Sequence, residues 1–139
     1  MVLASLMLFV GCTDDEGTLI DALEFVASID VENESIGEEA GSITFNVFID
    51  QENTTGIDIS IPYNLTGTAT QGEDYDELNG VLTIPNGSRS ISQTITIIDD
   101  EEEEETETIV ISMVTVAGLT FSDGSITISI TDNDSLDGD

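Results

Sequence analysis

The sequence has 139 residues, among them no histidine, no tryptophan, one cysteine and a single cation, Arg89, against 30 Asp and Glu. Each shortage removes a class of function. Nucleic acid and anionic lipid headgroups are excluded as ligands, because both are held by Lys and Arg that neutralise phosphate. Without histidine, and with Cys12 as the only thiol, the chain lacks nucleophile–base pairs and the nitrogen and sulfur donors that zinc prefers. Two carboxylates can run glycoside hydrolysis, but there is no indole to stack a sugar, so the chain reads as a non-enzyme. One cysteine also means no internal disulfide. What remains in excess is carboxylate oxygen, on a formal net charge of −29. The 39% hydrophobic content is enough for one core at this length and sets the chain apart from a disordered acidic tail.

Residues 2–10, VLASLMLFV, form an uncharged apolar run. It is too short for a membrane-spanning helix, which needs roughly 20 residues, and fits the core of a signal peptide. No cation precedes it, a departure from the usual signal. The following LFVGC resembles the lipobox of bacterial lipoproteins, in which the cysteine becomes the lipidated first residue of the mature protein. That resemblance implies a signal peptide over 1–11, a lipid anchor at Cys12, an acidic tether over 12–21, and an extracytoplasmic protein on the bacterial outer membrane or cell surface. Membrane contact would then run through Cys12 alone. The competing reading is a buried free thiol.

From residue 22 the apolar residues recur with period two, the mark of half-buried strands. Ile57, Ile59, Ile61, Tyr63 and Leu65 alternate with polar neighbours, as do Ile43, Phe45, Val47 and Ile49. The same holds for Ile91, Ile95 and Ile97, for Ile109, Ile111 and Met113, and for Ile126, Ile128 and Ile130. Most are β-branched, as strands prefer. With LEFVASIDV and GVLTIP, seven strands are expected at about 22–30, 42–50, 56–66, 80–85, 90–98, 107–116 and 124–131. Turn-rich ENTTG, PNGS and SDG separate them, and no helical stripe intervenes. The expected fold is all-β, an immunoglobulin-like antiparallel sandwich, with a jelly roll or small barrel as the alternative. Residues 22–134 would form the domain and 135–139 a polar tail.

If successive strands reverse, alternate connections gather at opposite ends. Segments 31–41, 67–77, 99–107 and 132–139 then share one pole and carry four, four, eight and four carboxylates, twenty together. Segments 51–55, 86–89 and 117–122 share the other and carry only Glu52, beside Arg89. Two such charges ~5 Å apart repel by roughly 1 kcal/mol in water and ~3 kcal/mol at an effective dielectric of 20. A divalent cation turns that repulsion into attraction. Calcium suits the pole because it accepts six to eight oxygens in flexible geometry, whereas magnesium demands a tight octahedron. The competing reading of each acidic run is a solvated rim.

The strings GEEAGSITFNV, TGTATQGEDYDELNGVLTIPNG, ITIIDDEEEEETETIVIS and ITISITDND resemble, in order and spacing, the Calx-β domain, the calcium-binding sandwich of sodium–calcium exchangers. It also occurs in integrin β4 and in many bacterial surface proteins. The resemblance implies Ca2+ as the bound ion. Its ligands would fall on Glu38, on Asp74 of GEDY, on Asp99, Asp100, Glu101, Glu104 and Glu107, and on Asp132 and Asp134 of DND. Glu101 and Asn133 stand where relatives carry Asp, and the Glu run leaves the register open between Glu104 and Glu105. Tyr75 is expected to pack its ring beneath the site. The implied function is a calcium-binding surface module; the alternative is a calcium-independent spacer or adhesive domain with a surface protein partner. DNDSLDGD is no EF-hand loop, since Leu136 stands where a third ligand is needed. NTT, NLT and NGS match glycosylation acceptors but carry no weight in a bacterial setting.

Overall fold

The period-two stripes fold as strands. A computed structural model describes residues 24–134; the signal-peptide, Cys12, tether and polar-tail readings lie outside the described residues. Nine strands are present among them: β1 Phe25–Val31, β2 Ser35–Gly37, β3 Ser42–Ile49, β4 Ile59–Gly67, β5 Val81–Ile84, β6 Ser90–Thr96, β7 Glu107–Met113, β8 Leu119–Asp123 and β9 Ser125–Thr131. A 3₁₀ turn, Glu38–Ala40, follows β2. They build a four-stranded sheet, ordered β6-β3-β1-β8, and a five-stranded sheet, ordered β2-β9-β7-β4-β5.

The all-β sandwich is as the sequence predicts, with two additions. β2 and β8 are short, and SIG and LTFSD carry too few alternating apolar residues to register as strands. The segment 117–122, expected to be a connection, therefore contains most of β8. Nor is the pairing wholly antiparallel: β1 pairs parallel with β8, and β2 parallel with β9. β8 and β9 run the same way, separated only by Gly124, so they are one strand that switches sheets. β1 and β2 do the same across residues 32–34. Because each kinked pair keeps one direction, the parity of the other connections is unchanged.

Inward positions of the two sheets form the core: Ala27, Phe45, Val47, Ile61, Ile84, Ile95, Ile109, Ile111 and Ile128 are all inaccessible to solvent. Phe45 of β3 meets Tyr63 of β4 across the sheets in an edge-on contact, with centroids 6.1 Å apart. Each such side chain, fully buried, contributes about 1.5–3 kcal/mol. The core draws on both sheets and leaves both poles to loops; within it the buried Tyr63 hydroxyl has no hydrogen-bond partner among the described residues.

A carboxylate pole at one end of the sandwich

Loop geometry at this end follows from where β4 stops. Gly67 has φ +121°, and a β-carbon there would lie 2.1 Å from the Thr108 carbonyl oxygen, so only glycine lets β4 pass this close to β7. Beyond it the Thr68 and Ala69 amides donate to Thr108 Oγ1 and to its carbonyl. The chain then turns through Thr70–Tyr75, where the Asp74 amide donates to the Thr70 carbonyl at 2.9 Å and the Asp74 carboxylate accepts from the Thr70 amide. The Ile98 amide donates to the Asp74 carbonyl and the Asp76 amide to that of Thr96, at 2.9 and 3.0 Å. Tyr75, buried in the core cluster, anchors this turn as expected. The loop is thereby stitched to the end of β6, and Asp74 comes to face the acidic link that follows.

That link is also shaped by its own carboxylates. Asp100 accepts from the Glu102 amide at 2.7 Å, an Asx-type turn, and Asp132 accepts from the amides of Glu104 at 2.9 Å and Asp134 at 2.7 Å. These backbone donors hold the Asp132 carboxyl below its ordinary range. Asp132 and Asp134 follow β9 directly, Glu107 opens β7, and Glu38 opens the 3₁₀ turn before β3. All nine carboxylates singled out in the sequence therefore stand at one pole.

Six of them form two groups. Carboxylate oxygens of Glu38, Asp99 and Asp134 lie within 4.8 Å of one another, and so do those of Asp74, Glu104 and Glu107. Asp100, Glu101 and Asp132 stand outside both groups; Asp100 and Asp132 hold backbone amides, and Glu101 adds its charge beside Asp134. The second group lines a cavity of about 380 Å3 shared with Thr70, Glu73, Asp100 and Glu102. Glu73 and Glu102 are not singled out by the sequence: nothing in the Glu101–Glu105 run says which side chain turns inward, and Glu73 stands outside that run, beside Asp74. Within the Glu run, Glu104 is the member that joins a group.

The electrostatics show an unbalanced site. Glu38 is only 5% exposed, yet its Oε2 has no hydrogen-bond partner among the described residues; Asp134 Oδ2 is likewise buried and unpartnered. Burial, then the charges of Asp132, Glu104, Asp100 and Asp99, push the Glu38 carboxyl up to about 7. Burial, a hydrogen bond shared with Asp74, and the charges of Asp74, Glu104 and Glu38 push Glu107 up to about 7 as well. Glu104 and Asp134 are raised by burial first and by neighbouring carboxylates second. Buried oxygens without donors are costly. The donor set is entirely hard oxygen, which matches a calcium-type ion in both charge and softness.

Comparison with known proteins agrees with this architecture. A family model described as the Calx-beta domain matches residues 23–134. Among solved structures, the apo form of the Calx CBD1 domain is 26% identical with a TM-score of 0.64, covering 80% of this chain and 100% of that one. The calcium binding domain CBD12 of CALX1.1 is 25% identical with a TM-score of 0.58, covering 78% of this chain and 44% of that one. CBD12 from CALX1.2, at 24% identity and a TM-score of 0.63, covers 78% of this chain and 45% of that one and bears on the fold alone. No curated protein matched in sequence. With the family model spanning the whole sandwich, the chain belongs to the Calx-beta domain family.

Proposed function

We propose that this domain binds calcium at its carboxylate pole and is stiffened by it. The observation that carries the reading is the buried Glu38 carboxylate, whose Oε2 is unpartnered and which groups with Asp99 and Asp134. A buried acceptor among other acceptors has no donor within the described residues, so a cation is the partner that completes it. Glu38, Asp99 and Asp134 would hold one ion and Asp74, Glu104 and Glu107 another, with Asp100, Glu101 and Asp132 as adjoining ligands or supports. One solved relative, CBD12 of CALX1.1, is a calcium binding domain, which supports the choice of ion. Binding to the folded state alone stabilises it by about 2.7 kcal/mol at a hundredfold excess over Kd. Calcium at millimolar concentration should raise the melting temperature well beyond what sodium chloride of matched ionic strength does, and calorimetric titration should show heat saturating at a small whole number of ions. A melting curve that calcium leaves in place overturns the reading.

A hydrophobic core that spans both sheets away from the carboxylates favours a second reading, in which the sandwich is a spacer or adhesive module for a surface protein partner and folds without an ion. It requires fold and partner binding to survive EDTA. Tethering through Cys12 to an extracytoplasmic membrane surface is supported by the LFVGC string. Radiolabelled palmitate should enter the wild-type chain in a bacterial host and not Cys12→Ser; equal labelling of both removes the anchor.

A further inference from the structure

Asparagine is followed by glycine twice, at Asn79–Gly80 and at Asn86–Gly87. One pair enters β5 and the other turns from β5 to β6, and both glycines are left-handed, with φ of +75° and +88°. Both asparagines are exposed. The sequence does not rank them, because in each the glycine nitrogen has no neighbouring β-carbon to shield it from the side chain before it. Hydrogen bonding does. At the second pair the Gly87 amide donates to the Asn53 carbonyl at 2.6 Å, and the Asn86 side-chain oxygen accepts from the Gly56 amide at 2.7 Å. At the first pair the Gly80 amide has no hydrogen-bond partner among the described residues, while the Asn79 side-chain oxygen accepts from the Val81 amide at 3.1 Å. That bond closes a ring around the Gly80 peptide and keeps the side-chain carbonyl beside the glycine nitrogen.

We propose that Asn79 is a site of spontaneous modification, cyclising with Gly80 to a succinimide that opens to aspartate and isoaspartate, and that the fold protects Asn86 from the same fate. Hydroxide takes the Gly80 amide proton, and the nitrogen forms a bond to Asn79 Cγ. Negative charge then develops on Asn79 Oδ1, where the Val81 amide already donates, so a fixed dipole meets the oxyanion as it forms. The bond from Cγ to the side-chain nitrogen breaks, and ammonia leaves with a proton from water, which restores the hydroxide. Water next adds to either ring carbonyl. Breaking the ring at Cγ gives aspartate; breaking it at the main-chain carbonyl carbon gives isoaspartate, whose backbone runs through the former side chain. In sum, water is consumed and ammonia released, without oxidation or reduction. Either product places a new carboxylate at the entry to β5, beside Leu78, whose carbonyl accepts from Gln71 Nε2 of the Asp74 loop at 3.2 Å. None of the reacting groups belongs to the two carboxylate groups, so the inference stands apart from the calcium reading.

Peptide mapping by mass spectrometry of the full chain, aged at mildly alkaline pH, tests it. The mass gain of an amide becoming an acid should accumulate at Asn79 roughly tenfold faster than at Asn86, because freeing a hydrogen-bonded nucleophile raises the barrier. In urea, where the turns are lost, the two should age at similar rates. Electron-transfer fragmentation should find isoaspartate as well as aspartate at Asn79, the mark of the cyclic route. Asn79→Gln should remove the fast gain and leave the slow one at Asn86 unchanged; the comparison within the wild-type chain does not depend on that variant folding. Equal rates in the folded chain, or faster loss at Asn86, overturn the proposal. So does aspartate without isoaspartate at Asn79. A preference for Asn79 that persists in urea overturns it too, since it would belong to the flanking residues rather than to the fold.

Discussion

At one end of the sandwich the buried polar side chain is Asn53, and at the other it is Glu38. Asn53 is fully buried and fully matched. Its amide nitrogen donates to the carbonyls of Ile57 at 2.9 Å and Ile84 at 3.2 Å, and its oxygen accepts from the Thr55 hydroxyl at 2.7 Å and the Thr55 amide at 3.2 Å. Its own backbone joins the neighbouring turn, donating to Ser88 and accepting from Gly87. One neutral side chain thus ties the β3–β4 connection to the end of β5 through protein groups alone. Glu38 is buried almost as deeply, but has acceptors around it and an oxygen with no donor among the described residues. The fold therefore has one pole whose buried polar side chain is matched by protein groups and one whose buried carboxylate is not. Asn53 is also the first residue of an NTT acceptor string, and both its amide hydrogens are taken.

Substituting the two residues should separate the poles by sign. Asn53→Ala should cost about 2–4 kcal/mol in urea unfolding, because it leaves the Ile84 carbonyl and its neighbours unpaired in the interior. The calcium-induced rise in melting temperature should persist in that variant. Glu38→Gln should do the reverse. At neutral pH without calcium it should stabilise the domain by about 1–3 kcal/mol, since a buried carboxyl raised well above its ordinary range is costly to ionise. The same substitution should remove much of the response to calcium. A Glu38→Gln variant that is less stable than wild type in EDTA would mean that the carboxylate already has a partner.

Much of this contrast can be read from the residues, and some of it cannot. The acidic pole is legible because strand parity is a topological property: it sorts Glu38, Asp74, Asp99 and Asp132 to one end however the loops are drawn. The core is legible because Ile43–Ile49 and Ile57–Leu65 alternate cleanly, although the strand itself begins only at Ile59 and leaves Ile57 exposed. Asn53 is not legible. In ENTTG it reads as an ordinary turn residue, and its burial depends on the Ile84 carbonyl, 31 positions away. Nor is the division into two carboxylate groups, which depends on main-chain bonds from Asp74 and Asp76 to the end of β6. The sheet switches at Gly124 and residues 32–34 are hidden for a related reason: a kinked strand divides its apolar residues between two sheets.

The pH dependence of the calcium-free protein sharpens the comparison at a smaller scale. Glu38 and Glu107 titrate near 7 in the folded state, against 4.5 ordinarily. Between those values the unfolded chain has lost protons that the folded chain keeps, so stability falls as pH rises through the window. Asp132, held down by backbone amides, acts oppositely, losing its contribution only as the pH falls through the acid range below its ordinary value. In EDTA the melting temperature should be higher near pH 5 than near pH 7.5, by roughly 5 °C. Glu38→Gln should flatten that slope; Asn53→Ala should shift the curve down without changing its shape. In saturating calcium the order of the two pH values should reverse, because protons and metal compete for the same oxygens. An unchanged slope in Glu38→Gln would assign the effect to Glu107 or to overall charge repulsion instead, and Glu107→Gln separates the two.

The smallest effect belongs to the only cation. Charge counting makes Arg89 the obvious counterweight to 30 acids, and its removal should then be severe. Its surroundings argue otherwise. Arg89 is exposed at the pole opposite the acidic cluster, where the β3–β4 connection carries Asp50, Glu52 and Asp58, and its guanidinium donates to the backbone carbonyl of Asp50 rather than to a carboxylate. Its backbone carbonyl, which accepts from the Ile49 amide at 2.9 Å, is untouched by a side-chain change. Arg89→Ala should therefore cost no more than about 0.5 kcal/mol, the range of an exposed polar contact. It should leave the calcium response and the pH slope unaltered. A loss comparable to that of Asn53→Ala would show that the hydrogen-bonded pole is held by charge after all, and that the difference between the two ends is one of degree.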